Sequence, residues 1–458
     1  MSQHKIVKIP NWVLPDDENY LNEIGKDGWE LIHIYNQHAY LKSTAAGTIV
    51  SGSLNAAVDA FGRQRVSEPF TLGDYKHIFG IEDQLFINKT NGDGDILNNI
   101  NHSSTVLTAT SSGSYAIHQS KMYHHYMPGK SQVILASFVL GAAVSGSTKR
   151  IGYFDDHNGI FLEQDATGSL QFVIRSATSG TGSITEQRVK QSGWNVNTLS
   201  NGEFTLDITK TQLFYIDFQW LAVGRVRCGF VHKGITVICH VFDHTNVLSV
   251  PYMQNPNLPV RCEIRNSVNT IIPSSMEQIC STVMSEGGYA ESGKAYSVSN
   301  DTFRVLTSGS SLPVLAIRLK NSVNGIRNRA FVRIQNSSVF TDQQSVRYML
   351  TKLPSGSMLT TSSAWVSVDN DTSVVEYNTS ATAYSDGKVL LSGFVGANSL
   401  NINQANPLVQ SQPGVTNKQN FIAQNYDSTD SEIYVLVAKN MTANTTNIGG
   451  SMLWSEIY

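Results

Sequence analysis

Leu213-Phe-Tyr-Ile-Asp-Phe-Gln-Trp220 decides the fold. Phe214, Ile216, Phe218 and Trp220 alternate with Tyr215, Asp217 and Gln219. A period of two is that of a β-strand with one face on a core. The pattern continues outward. Gly224 to Val231 and Ile235 to Phe242 flank Lys233-Gly234, a two-residue hairpin turn. Ile151 to Phe154, Gly159 to Leu162 and Leu170 to Ile174 are further short strands at turn spacing, and Ser176 to Ser183 is a polar loop. The longest apolar run, Val133 to Val144, is broken by Ser137 and Gly141. It is too short for a bilayer and reads as buried strand. Helical periodicity is nearly absent, apart from one turn near Ser275 to Cys280. An all-β sandwich over residues 58–290 follows.

A second β-sandwich is predicted over 297–458. Its strands are Pro313 to Leu319, Ala330 to Ile334, Val346 to Leu350, Lys388 to Gly393 and Glu432 to Ala438. Residues 1–43 read as a small α/β unit. Ile6 to Ile9 is a strand, Asn19 to Gly28 a helix, and Trp29 to Tyr35 pairs with Ala39 to Leu41. Residues 44–57, rich in Ser, Gly, Ala and Thr, form a linker. The fold class is therefore mainly β: two β-sandwich domains of jelly-roll or lectin-like pattern behind a small α/β attachment unit.

Of the 458 residues, 41% are hydrophobic and 15% charged, against about 25% charged in ordinary domains. Uncharged polar residues suit strand faces and surfaces that meet other subunits, where charge is costly to desolvate. With a net charge of −3, nothing suggests a basic nucleic-acid surface, and no nucleic-acid partner is expected. The N-terminus lacks the apolar run of a signal peptide, so synthesis in a cytoplasm and no membrane insertion are expected.

Chemistry is sparse. The four cysteines, Cys228, Cys239, Cys262 and Cys280, form no CxxC pair. The hairpin register places Cys228 across from Cys239. Strand spacing would permit a disulfide, whereas a cytoplasmic origin favours reduced thiols. All twelve histidines lie between His4 and His244, which leaves the last domain without imidazole ligands. His118, His125, Asp155 and His157 could be gathered as a metal site. Their spacing matches no HExxH or EF-hand pattern, and Asp155 to Gly159 reads better as a turn. Asp155, Asp156, Glu163, Asp217 and Asp243 are candidates for a carboxylate pair by abundance only. No nucleophile elbow, P-loop or dinucleotide fingerprint is present. The expectation is no catalytic, cofactor or metal site, and not an enzyme. Arg225 and Arg227 point to one face of a strand and are offered as a possible subunit interface.

One stretch carries other information: Asp59-Ala-Phe-Gly-Arg-Gln-Arg-Val-Ser-Glu-Pro-Phe-Thr-Leu-Gly-Asp-Tyr-Lys-His77. Together with His118 to Lys130, Lys149 to Phe161, Asp217 to Arg227, Asn257 to Arg261 and Gln278 to Gly288, it resembles a family of tailed-bacteriophage virion structural proteins. The resemblance covers 58–290 well. It covers the last third more loosely, through Ala364 to Tyr377 and Ser451 to Tyr458. It implies a tail-fibre-like or virion-associated protein, with copies of itself as partners (a trimer), other virion proteins, and a possible host surface glycan. It brings no catalytic residue. Alternatives are a capsid decoration or head-fibre protein, a glycan-binding module, or a polysaccharide depolymerase. Trp12, Trp29, Trp194, Trp220, Trp365 and Trp454 are the residues that could stack on sugars.

Overall fold

The computed structural model describes residues 4–8, 29–35, 38–43, 58–179, 183–200, 204–270, 272–288, 293–385, 387–397, 400–401 and 421–458. In the N-terminal unit it gives three antiparallel strands in the spatial order His4–Lys8, His38–Ser43, Trp29–Tyr35. The helix expected at 19–28 and the linker at 44–57 lie outside the described residues.

The rest is a pair of β-sandwiches, with no α-helix among the described residues. In the central one, a seven-stranded sheet runs Thr185–Lys190, Leu170–Ser176, Gly159–Gln164, Ser147–Phe154, Val260–Asn266, Tyr115–Ser120, Phe86–Asn91. The facing sheet runs Ile235–Phe242, Val226–His232, Gln212–Phe218, Gln132–Val139, Ser274–Ser285, Ser104–Ala109, Asp95–Asn99. Phe70–Lys76 pairs with the outer half of Ser274–Ser285. The alternation read from the sequence supplies the core. Phe214, Ile216 and Phe218 meet Ile151, Tyr153, Ile160, Leu162, Phe172 and Ile174 across the sandwich, with Trp220 at the margin. The C-terminal sandwich stacks a sheet centred on Thr446–Ile457 against one centred on Ile433–Asn440, around Val314, Leu436 and Trp454.

Three local expectations change. The turn expected at 275–280 is the start of the strand Ser274–Ser285, which pairs along both edges. The aromatic and histidine run Tyr123 to Tyr126, which by sequence reads as a half-buried strand, is not one: His124 makes one bridge, to Leu258. The hairpin at Lys233-Gly234 starts in the expected register, with His232 opposite Ile235. A bulge then sets Gly229 opposite Ile238 and Cys228 opposite His240. Gly229 fits it because a Cβ there would lie 2.1 Å from the Val237 carbonyl oxygen. Cys239 is therefore the extra residue of the bulge, not the partner of Cys228. Both are free, buried thiols, and burial pushes both pKa values up.

The two sandwiches meet at a joint built from both. Met122 packs with Phe421, Ala423 and Phe331. Around this contact, Glu432 accepts Lys121 at 3.0 Å on Oε1 and Lys352 at 2.7 Å on Oε2, and Lys89 reaches Asp427 at 2.8 Å. Glu432 is 4% exposed, so removing it strands two poorly solvated ammonium groups. Glu432→Ala should lower stability by about 3 kcal/mol and split the thermal unfolding of the two sandwiches into separate transitions in calorimetry. A single unshifted transition would contradict this joint.

Acid should act through the buried histidines. Burial lowers His77 to about 4 and His124 to about 4, and takes His118 well below its ordinary value. The unfolded chain takes up these protons from about pH 6.5 downward, the folded chain only near 4. The stability they hold is full above about pH 6.5 and is lost as pH falls towards 4. Urea midpoints measured across this range should fall with acid, and less steeply in His77→Phe. A flat profile would contradict the burial.

Candidate functional site

Alternation also decides what the seven-stranded sheet shows on its outer side. Residues 151, 153, 160, 162, 172, 174, 262 and 264 face the core, so Arg150, Glu163, Arg175, Arg261, Glu263 and Arg265 face outward. Register then sets them side by side: Arg150 lies between Glu263 and Glu163, and Arg175 lies opposite Glu186. Gly152 has no side chain; a Cβ there would meet the Phe161 Cα at 2.7 Å. Phe154 and Phe161 fill the floor with centroids 4.5 Å apart. Arg175 lies 5.0 Å over Phe161, and Arg261 5.1 Å over Phe154.

The charges form one lattice. Arg150 Nε donates to Glu163 at 2.5 Å and its Nη1 donates to Glu263. Glu263 also accepts Arg261, and Arg265 at 3.0 Å. Glu163 also accepts Arg188, and Gln171 at 2.6 Å. Arg175 Nε donates to Glu186 at 2.8 Å, and Arg188 closes the row on the same carboxylate. Arg261 turns its Nη1 to Asp156 at 2.9 Å, and the Tyr426 hydroxyl from the C-terminal sandwich donates to that carboxylate at 2.7 Å.

Burial alone would raise the Glu263 pKa. The guanidiniums of Arg261, Arg150 and Arg265 overcome it and hold the carboxyl well below its ordinary range. Burial likewise opposes Asp156 and Glu186, and their arginines win again. Above the lattice lies an open cleft of about 420 Å³, lined by Arg150, Asp156, Arg175, Glu186, Glu263 and Arg265, with Ile184 at one side. Glu263 here accepts hydrogen bonds and is not poised to give a proton. The cleft can recognise a polar ligand through planar, fixed guanidinium forks.

A second cleft, of about 220 Å³, lies where Asp59 to Ser67 packs on the outer side of the other sheet. Asp59 caps its own turn by accepting Phe61 N and Arg63 N, each at 2.9 Å. Arg65 reaches Asp217 at 2.5 Å, and Glu286 lies 3.7 Å from Arg65. The Glu286 pKa is raised, first by burial.

The residues singled out from sequence fall as follows. Arg225 is exposed and pairs with Asp243 at 2.7 Å. Arg227 is 3% exposed and donates to Asp217 and to the Val58 carbonyl, within the chain's own packing. The Asp59 segment supplies the cover that buries it. His118 stacks on Phe86 at 4.0 Å. Asp155 accepts His157 N and Asn158 N, forming the expected turn. No group of three or more potential metal ligands forms among the described residues. Trp194 and Trp454 are buried, and Trp220 and Trp365 are half-buried. The side chains of Trp12 and Trp29 lie outside the described residues. Asp156 and Glu163 were among the carboxylates noted. Arg150, Arg175, Arg188, Arg261, Glu263 and Arg265 were missed, although Arg261-Cys-Glu-Ile-Arg265 already alternates charge with apolar residues.

No known family model and no curated protein matches the sequence. Solved structures are similar in fold. A Bacteroides ovatus mixed-linkage glucan GH16 protein is 11% identical, over 46% of this chain and 99% of its own, with a TM-score of 0.33. A Mycobacterium marinum β-1,3-glucanase is 13% identical over 47% and 99%, with a TM-score of 0.30. A legume lectin-like domain from Entamoeba histolytica is 10% identical over 47% and 98%, with a TM-score of 0.30. The likeness concerns β-sandwich architecture. The expectation that the chain is not an enzyme does not stand, since glycoside hydrolases are among the solved structures that match it. That expectation leaned on missing motifs. A carboxylate pair has no short motif: the fold assembles it from distant strands, as it brings Glu163 and Glu263 to one arginine here.

The lattice makes unequal demands on its members. Glu263→Ala leaves Arg261, 1% exposed, with Asp156 as its remaining carboxylate, and should cost about 3–5 kcal/mol in urea unfolding. Arg265→Ala leaves Glu263 two guanidiniums and should cost under about 1 kcal/mol. Equal losses would contradict the assignment of Glu263 as the centre.

Proposed function

We propose that the protein binds glycans in the cleft on the outer side of the seven-stranded sheet, as a component of a bacteriophage particle. The observation that carries the binding half is the lattice itself. Sugars are well hydrated, so a site gains on water only by holding several donors and acceptors in fixed register. Side chains on adjacent strands, pinned by one another over a buried aromatic floor, meet that requirement. An apolar ligand finds little there, since the cleft is charged except at Ile184. The particle half rests on the resemblance of residues 58–290 to tailed-phage structural proteins. A stiff pair of sandwiches, joined through Glu432 and Met122 with every described cysteine free, suits a projection outside a cell.

Binding of the full chain to a panel of bacterial surface polysaccharides tests this. At least one polysaccharide should bind, with a loss of about tenfold or more in Arg150→Ala, and antibodies to the protein should label intact particles. Absence of binding across the panel would overturn the glycan half, and unlabelled particles the virion half. Assaying the same panel for new reducing ends tests cleavage. Among described carboxyls with a resolved shift, only Glu286 is pushed upward, as a proton donor requires.

A further inference from the structure

The hydrogen-bond balance of the cleft identifies its ligand more closely. Four carboxylates, those of Asp156, Glu163, Glu186 and Glu263, stand among five guanidiniums, those of Arg150, Arg175, Arg188, Arg261 and Arg265. All eight carboxylate oxygens already accept. Those of Glu163 take Arg188 and Gln171 on Oε1 and Arg150 on Oε2; those of Glu263 take Arg150 and Arg265 on Oε1 and Arg261 on Oε2. Those of Glu186 take Arg175 and Arg188, and those of Asp156 take Arg261 and Tyr426.

The donors are not matched in this way. A guanidinium carries five N–H groups, and Arg265 gives only Nε to Glu263 while its side chain is 37% exposed. Its Cζ lies 4.7 Å from the Tyr115 ring centroid, so the ring supports the guanidinium at the edge of the cleft. Arg150 gives Nε and Nη1 to the lattice and lies on the cleft wall. Every carboxylate oxygen is already engaged while guanidinium N–H groups remain in excess, a balance that favours a ligand that brings acceptors. The guanidinium fork matches the two oxygens of a carboxylate or a sulfate.

We propose that the cleft takes an anionic glycan, one carrying carboxylate or sulfate groups, with Arg265 and Arg150 as the donors that meet its charge. This rests on the glycan-binding reading above and narrows its ligand class.

Matched polysaccharide pairs separate the two. Polygalacturonate and its methyl ester share a backbone, as do heparin and its desulfated form. In titration calorimetry the charged member of at least one pair should bind about tenfold tighter than its neutral partner. The preference should shrink with added salt. Arg265→Ala should lose about tenfold and Arg265→Lys less, because Lys keeps the charge without the fork. Arg225→Ala, the same charge change at an exposed site paired with Asp243, should bind as the parent does. Charged and neutral members binding alike would overturn the anionic assignment and leave glycan binding standing. No binding by any member would overturn the anionic assignment, and glycan binding falls with it if the bacterial panel also fails to bind. Equal losses in Arg265→Ala and Arg225→Ala would overturn the cleft as the site.

Discussion

Glu263 has almost no contact with water, yet it is held ionised by three guanidiniums. A buried carboxylate survives only if its partners are fixed and its oxygens filled. This constraint organises the outer side of the seven-stranded sheet. It requires Arg150 opposite Glu263 on the paired strand and Arg261 two residues along Glu263's own strand, and the row continues through Glu163 to Arg188 and Glu186. It also requires an aromatic floor that excludes water beneath them. The rigidity that makes the cleft a recognition surface is the same rigidity that makes the buried charges tolerable.

The lattice does not end at the central sandwich. Asp156 belongs to it through Arg261, and Tyr426, which lies 5.4 Å from that guanidinium, bonds Asp156 from the C-terminal sandwich. The joint between the sandwiches therefore touches the cleft at one edge. A ligand that engages the exposed side of Asp156 would bear on the packing between the two bodies. On the opposite sheet a second buried carboxylate, Asp217, gathers Arg65, Arg227 and the Tyr215 hydroxyl on one oxygen, Oδ2, while its Oδ1 has no hydrogen-bond partner among the described residues. There the Asp59 segment closes over the charges, whereas the first lattice stays open to solvent.

Much of the fold was legible in the sequence because burial on one side imposes a period of two. Phe214, Ile216 and Phe218 announce their strand and its inner face. The bulge at Gly229 was not legible, since it depends on how a backbone without a Cβ meets the Val237 carbonyl across the hairpin. The 274–285 strand was misread at its start, because Ser274 and Gln278 are polar yet buried between two neighbouring strands. The site was hidden for a related reason. Arg150, Glu163 and Glu263 are ordinary outward positions in three separate stretches, and only the register of Ser147–Phe154 with its neighbours makes them one cluster. The Asp59 segment stood out in the sequence, and the structure assigns it a packing role over Asp217.

The most direct measurement is a crystal structure of the full chain with an acidic oligosaccharide at saturating concentration. The account predicts the sugar's charged group on the Arg265 and Arg150 forks, with the Glu263 contacts unchanged. A ligand seated elsewhere, or a cleft that takes none, would contradict it.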